Sequence, residues 1–507
     1  MKRLFLLLSL TAYLNIYAQE PDDVLRTAWF TQNGTARNMA IGGAMGSLGG
    51  DISAANINPA GLGLYKTREL VISPTFNFGR NKANYRGADT SSKFNSFQSG
   101  PIGFVFGGVP RIPGAWTSYS FSISYSQLAN YNNHIHYSGY NNFSSYTEKY
   151  LEELTRDRAD TNAALNNYIF GSSLAFWTYL IDTTMVGNQI GYKSLVPIST
   201  GVIQTNDITT TGGYNELAFG FAGNKGDNLY LGASLTIPFI YYQHTIAYSE
   251  RDATTNAHNN FSDFYYKETL TSNGIGVGLK LGMIVKPADF WRVGFAVHTP
   301  QYISFTDEIR SSIVANTEDY AGLRSESSDN LNSGNPGKRE YSLLTPWRAI
   351  GSVSYVFREE ADTKQQKGFL SADIEFVNYK GARYAAIDKS NTGLVDYYKM
   401  VNDAIKDYYK GNINIKLGGE LKFDPVMIRL GFAHYGSPYS DNVLKAGRTI
   451  VSGGLGYRKH GIFIDLTYGY SFIKDVNFPY RLNDIANTFA VMKGGKSNIA
   501  VTFGFKF

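Results

Sequence analysis

Apolar and polar residues alternate with a period of two along much of this chain. In "SYSFSISYSQ", Tyr119, Phe121, Ile123 and Tyr125 share one face, and Ser118, Ser120, Ser122, Ser124 and Ser126 share the other. "NINIKLGGELKF" sets Ile413, Ile415, Leu417, Leu421 and Phe423 against Asn412, Asn414, Lys416, Glu420 and Lys422. "VMIRLGF" and "GIFIDLTYGY" repeat the scheme, with Arg429, Gly431, Asp465, Thr467 and Gly469 on the polar or small-residue side. Such alternation in Val, Ile, Phe and Tyr is the pattern of half-buried strands. Any one of these segments fits a soluble sandwich as well as a membrane wall.

The connections discriminate between the two. Strands are expected near 68–80, 100–109, 117–127, 213–223, 228–247, 268–286, 291–304, 346–358, 368–380, 411–423, 426–436, 449–458, 461–473 and 497–507. Short links ("GNKG", "KPAD", "FDP", "RKHG") alternate with long ones at 128–212, 305–345, 381–410 and 474–496. Chain direction reverses at every hairpin, so short turns collect on one side and long loops on the other, the asymmetry of membrane-spanning barrels. In a compact soluble domain such long loops at alternate connections are uncommon. The closing "NIAVTFGFKF" then reads as a last strand pairing with the first. Its outward face is Ile499, Val501, Phe503, Phe505 and Phe507, because in hydrocarbon every backbone amide needs a partner and closure supplies it. The expected fold is an all-β, fourteen-stranded antiparallel transmembrane β-barrel.

Composition agrees: among 507 residues there are 37 Tyr, 32 Phe and 52 Gly, with only 18% charged. "MKR" followed by "LFLLLSLTAYLNIYA" predicts a secretory signal over residues 1–18. The chain has no cysteine, which excludes disulfides and an N-terminal lipid anchor. No apolar run approaches the roughly 20 residues of a membrane helix. A net charge of +5, part of it from Lys2 and Arg3 in the leader, with no basic stripe interleaved with aromatics, points to no nucleic-acid partner.

Residues 19–67 lack both periods and are rich in glycine and alanine, too poor in large apolar residues to form a core of their own. They hang outside the barrel, tether elsewhere or fold into its lumen. Asn33, Asn56 and Asn58 offer turn and wall hydrogen bonds, and Asn58, Pro59 and Gly61 predict a tight bend before the first strand.

The stretch "GTARNMAIGGAMGSLGGDISAANINPAGL" resembles the N-terminal segment of the long-chain fatty acid and aromatic-hydrocarbon transporter family of outer-membrane proteins, with Asp51, Ser53, Ala54, Asn58, Pro59, Ala60, Gly61 and Leu62 at matching places. "WRVGFAVHTP", "TPWRAIGSVSYVF", "VMIRLGFAHYGSPYS" and "VSGGLGYRKHGIFIDLTYGY" are weaker echoes. The resemblance implies a monomeric barrel over 68–507 in the bacterial outer membrane, plugged by residues 19–67. Its plug residues would be Gly42, Gly43, Gly46, Gly49, Gly50, Asp51, Asn58, Pro59 and Gly61. It further implies passive passage of a hydrophobic small molecule such as a long-chain fatty acid, contact with outer-membrane lipids, and assembly machinery reading the region of Phe507.

The 128–212 connection reads as helical in its first half and aromatic in its second, offering Phe176, Trp177 and Tyr179 either as a capture groove or as part of a loop core. In "NTGLVDYYKMVNDAIKDYYK", Leu394, Tyr398, Val401, Ile405 and Tyr408 recur at helical spacing. No catalytic arrangement emerges. The seven histidines are scattered, His134 and His136 sit in an asparagine-rich stretch without a metal-ligand signature, and "GGAMGSLGG" lacks the lysine of a phosphate loop. No cofactor and no metal are expected. Two functions remain: transport of a hydrophobic molecule, and a surface-exposed binding or structural protein acting through its loops.

Overall fold

The computed structural model describes residues 23–31, 33–112, 114–187, 189–357, 367–441 and 446–507; the expected signal over 1–18 lies outside them. Among the described residues, fourteen strands close into one antiparallel barrel, four of them broken in two. In chain order, the first six strands are β1 (Arg68–Tyr85), β2 (Ala88–Gly108), β3 (Trp116–Asn130 with Asn133–Asn141), β4 (Val202–Lys225), β5 (Leu229–Asp252) and β6 (Asp263–Ala288). Next come β7 (Trp291–His298 with Tyr302–Asn316), β8 (Gly337–Leu344 with Arg348–Phe357) and β9 (Gly368–Asn378 with Arg383–Ala386). The circuit ends with β10 (Gly411–Phe423), β11 (Val426–Tyr435), β12 (Gly447–Lys459), β13 (Ile462–Asn477) and β14 (Ala490–Lys506). Closure pairs β14 with β1, from Glu69 opposite Lys506 to Asn84 opposite Val491.

Alternation sorts the side chains as the sequence pattern predicts. Ile428, Leu430, Phe432, Ile464, Leu466, Phe503 and Phe505 are exposed on the outside, whereas Arg429, Asp465, Thr467 and Thr502 are buried inside. An apolar exterior around a polar, filled interior is the inverse of a soluble protein, and it suits hydrocarbon as solvent.

The strands run further toward the loop side than expected. The long connections shorten to 142–201, 317–336, 387–410 and 478–489, and the expected gap between the first two strands is absent. Instead β1 and β2 continue to a two-residue turn at Arg86 and Gly87, both at positive φ, the conformation that matches the twist of a tight hairpin. Beyond the apolar belt the outer face carries polar residues too, so these segments have no greasy side to betray them.

Loop helices α1 (Thr147–Arg156), α2 (Thr161–Asn166) and α3 (Ser172–Trp177) cover the open end with a small hairpin (Ile181–Val186 and Gln189–Ser194). Tyr146, Tyr150, Leu174, Tyr248, Phe261, Phe264 and Tyr480 form the core beneath them. A further helix (Thr392–Tyr408) buries Tyr398, Val401 and Ile405 as its spacing predicts, while Tyr408 is exposed.

Candidate functional site

The described residues ahead of β1, 23–31 and 33–67, occupy the lumen. They contain three short helices, Asp23–Ala28, Ala36–Ala40 and Ala54–Ile57, and a 3-10 turn at Pro59–Leu64. Thr35 caps the second helix by accepting from the Asn38 amide, and its hydroxyl donates to Asp51 at 2.7 Å. Asp51 also accepts from the Ser53 amide, and the Thr35 amide donates to Ser53 Oγ, so the segment is knotted on itself. Asn58 caps the 3-10 turn with Pro59 as its first residue, which is the expected bend, and its Nδ2 reaches Gly46 O at 2.6 Å.

Small polar side chains of the wall hold this segment from all sides. The Ala36 amide donates to Thr502 and the Gly46 amide to Asp373. Ser452, Thr467, Ser118 and Ser120 donate to the carbonyls of Ala40, Ala36, Gly63 and Leu62. Ser47 lies 2.8 Å from Ser352 and 3.0 Å from Ser354, oxygen to oxygen. Ile41, Met45, Leu48 and Ile57 pack on Ala296, Ile350, Val356 and Phe369. Gly42 has φ +65°, and a Cβ there would meet the backbone of Phe432 on β11. Of the remaining expected plug residues, Gly43, Gly49 and Gly50 also have positive φ, Gly46 faces Ser352, and Gly61 lies against Gly49.

Several charges buried in the lumen are paired, which offsets the cost of their desolvation. Arg429 donates to Glu420 and to Asp465, each at 2.6 Å, and Arg37 from the plug reaches Glu420 at 3.6 Å. Glu375 joins Lys416 at 2.9 Å and Arg348 at 3.1 Å; Arg348 also donates to Ala28 O and lies over the Phe30 ring. A third group links Lys280, Glu216, Gln301 and Tyr214.

The third group borders a discontinuity in the wall. Strands β7, β8 and β9 are interrupted side by side, at 299–301, 345–347 and 379–382. Pro300 and Pro346 lack the amide a ladder needs. The seam is bridged by Gln301 and Thr345, through the Gln301 amide to Thr345 Oγ1 at 2.9 Å and the Thr345 amide to Gln301 O at 3.0 Å. Behind it lies a cavity of about 50 Å³, lined by Phe30 and Asn56 of the plug and Tyr214, Lys280, Gln301 and Arg348 of the wall. Tyr302, Leu344 and Trp347 are exposed on the outer side of the same seam.

The expected capture residues are placed on and just after α3. Phe176 packs edge-on against Tyr192 in the loop core. Trp177 and Tyr179 are exposed; Trp177 Nε1 donates to Leu165 O, and Tyr179 lies near Tyr320. His134 and His136 both contact Asp207, at 3.0 and 3.2 Å, and His298 contacts Ile57 O. Among the described residues no group of three His, Asp or Glu side chains is arranged so that it could hold a metal ion. The resemblance implies a gap or kink in the wall, but sequence reasoning did not locate the seam and missed the role of Arg37. The signals were the prolines at 300 and 346 within strand-like stretches, and a lone arginine in a small-residue segment.

No protein-family profile and no curated protein matches the chain. Solved structures do. A Pseudomonas aeruginosa FadL homologue is similar at 14% identity, with 94% of this chain and 99% of that one covered and a TM-score of 0.53. The P. putida toluene transporter TodX is similar at 11% identity over 94% and 99%, with a TM-score of 0.52. CymD, a monoaromatic hydrocarbon channel, follows at 11% over 94% and 98%, with 0.50. In fold, the chain is an internally plugged fourteen-stranded barrel of the FadL type.

Proposed function

We propose that this protein carries a hydrophobic small molecule, such as a long-chain fatty acid, passively across the bacterial outer membrane. The observation that supports this most is the cavity shared by the plug and the wall seam. A lumen filled by its own leader admits no free diffusion of water-soluble solutes. An apolar solute needs only transient openings, and each buried methylene contributes roughly 0.8 kcal/mol to its capture. The cavity of about 50 Å³ is far smaller than a ligand site of roughly 300–1,000 Å³, so this is the closed state and passage requires the plug to shift. Cargo enters from the loop side, where Phe176, Trp177 and Tyr179 are its proposed first contacts, and the plug glycines let the leader repack with little side-chain obstruction.

The test is uptake of a fluorescent long-chain fatty acid, and separately of toluene, into vesicles with the purified barrel inserted. Uptake above that of protein-free vesicles, saturable and independent of ATP, supports the reading. Equal uptake with and without protein, for both solutes, favours a surface-binding role for the loops.

A further inference from the structure

The outer face of the barrel carries a row of cations that, among the described residues, no carboxylate pairs with. Phe76 of β1 and Phe97 of β2 meet edge to face at 5.6 Å on the apolar belt, with Phe78 beside them; on β13 the exposed Phe472 lies two residues before Lys474, in register with Arg80 through Gly495. Immediately toward the loop side, Arg80 stands opposite Lys93, and Lys82 stands opposite Lys493, which in turn stands opposite Lys474. All five are exposed. The row crosses β2, β1, β14 and β13, three strand spacings or about 14 Å.

Like charges directly opposite one another destabilise a sheet. At the same, loop end of the barrel other exposed cations are matched, Lys338 by Glu340 at 2.7 Å and Arg310 by Asp329. Here, among the described residues, no ion pair joins any of the five; Arg80 has only Ser91 Oγ at 3.3 Å. The nearby carboxylate, Asp89, accepts from Asn84. Two observations identify the missing counter-charge. The row adjoins the aromatic girdle, the level of lipid headgroups, and its cations continue the face on which acyl chains would lie.

We propose that this surface binds the phosphate groups of a phosphorylated lipid of the surrounding leaflet, whose chains lie along Phe76, Phe97 and Phe472. Lysine and arginine bind phosphate as point charges and forks, and each basic residue near an anionic lipid surface adds a modest increment that sums along the row. The proposal rests on the barrel standing in a membrane and not on what it carries.

The test is native mass spectrometry of the purified barrel with added diphosphoryl lipid A, and with the same lipid stripped of phosphate. The native protein is expected to retain the phosphorylated lipid selectively, with about fivefold weaker retention for each cation neutralised, so that K82Q/K493Q/K474Q loses roughly 100-fold. K82R/K493R/K474R and K338Q should bind as the native protein does. Heat-modifiable gel mobility verifies each barrel; if the triple variant does not fold, R80Q/K93Q carries the same test with an expected loss of about 25-fold. Equal retention of the phosphate-free lipid, an equal loss in K338Q, or full displacement by inorganic phosphate, which would mark a free-ion site, each overturns the proposal.

Discussion

Replacing Arg37 by methionine isolates the link between plug and wall. Arg37 is buried, its Nε lies 3.6 Å from Glu420, its NH1 donates to Gly50 O at 3.2 Å, and its guanidinium lies over Phe369. Removing one partner of a buried pair costs about 3–5 kcal/mol when the other charge is stranded. Glu420 is not stranded, because Arg429 holds it at 2.6 Å and Arg429 also holds Asp465. The expected loss is therefore that of the charged hydrogen bond to Gly50 O together with the long contact to Glu420, about 2 kcal/mol, while methionine keeps much of the apolar stem. That loss weakens docking and not the barrel, so the seated-to-unseated ratio of the plug falls roughly 30-fold. Liposome swelling with a small hydrophilic solute measures the leak, and limited proteolysis of the leader reports its exposure. Both should rise while heat-modifiable mobility stays native. Unchanged leak together with unchanged protease protection would refute the idea that Arg37 secures the plug.

Three further changes probe other parts of the account. Gly431→Val places a branched side chain against the backbone of Ile41 and Gly42, so it should also raise leak, read by the same swelling assay. Arg348→Met removes the bond to Ala28 O and one partner of Glu375, which keeps Lys416; the first leader helix should become sensitive to protease with the barrel intact. Trp177→Ala deletes an exposed ring with one hydrogen bond, so uptake at low cargo concentration should fall severalfold while thermal stability shifts by about 0.5 kcal/mol or less. In the loops, the hydrogen bond and charge of Asp319 raise the His258 pKa above its ordinary 6.5. The contact is thus fully present below that value and is lost as pH climbs through the raised one. An NMR titration should show this, with D319N returning the pKa toward 6.5.

The wall was legible wherever its two faces meet different solvents. β11 and β13 alternate cleanly because Leu430 and Leu466 face lipid while Arg429 and Asp465 face a polar lumen. Toward the loop side that contrast disappears. Arg80, Lys82 and Lys93 point outward as polar residues do inward, so the strand pairing of 81–85 with 88–92 left no period-two signal. The seam was hidden for another reason. Only the three residues Thr299 to Gln301 separate two strand-like stretches, and only the register of three neighbouring strands shows that the breaks coincide. Within the plug, the Asn58–Pro59 bend was readable because it has a local backbone reason, the Asn58 side chain accepting from the Ala60 amide. Arg37 was not, since its partner Glu420 is distant in sequence and the two meet only after the barrel closes.

The central claim is that the plug must move for cargo to pass, and a cross-link tests it most directly. Ser47 of the plug and Ser352 of β8 have their hydroxyl oxygens 2.8 Å apart, and the chain has no other cysteine to interfere with a disulfide placed there. Fatty-acid uptake by vesicles containing S47C/S352C is measured in the oxidised state and again after reduction. The account predicts low uptake when oxidised and recovery to the level of the unmodified protein when reduced; equal uptake in both states would contradict it.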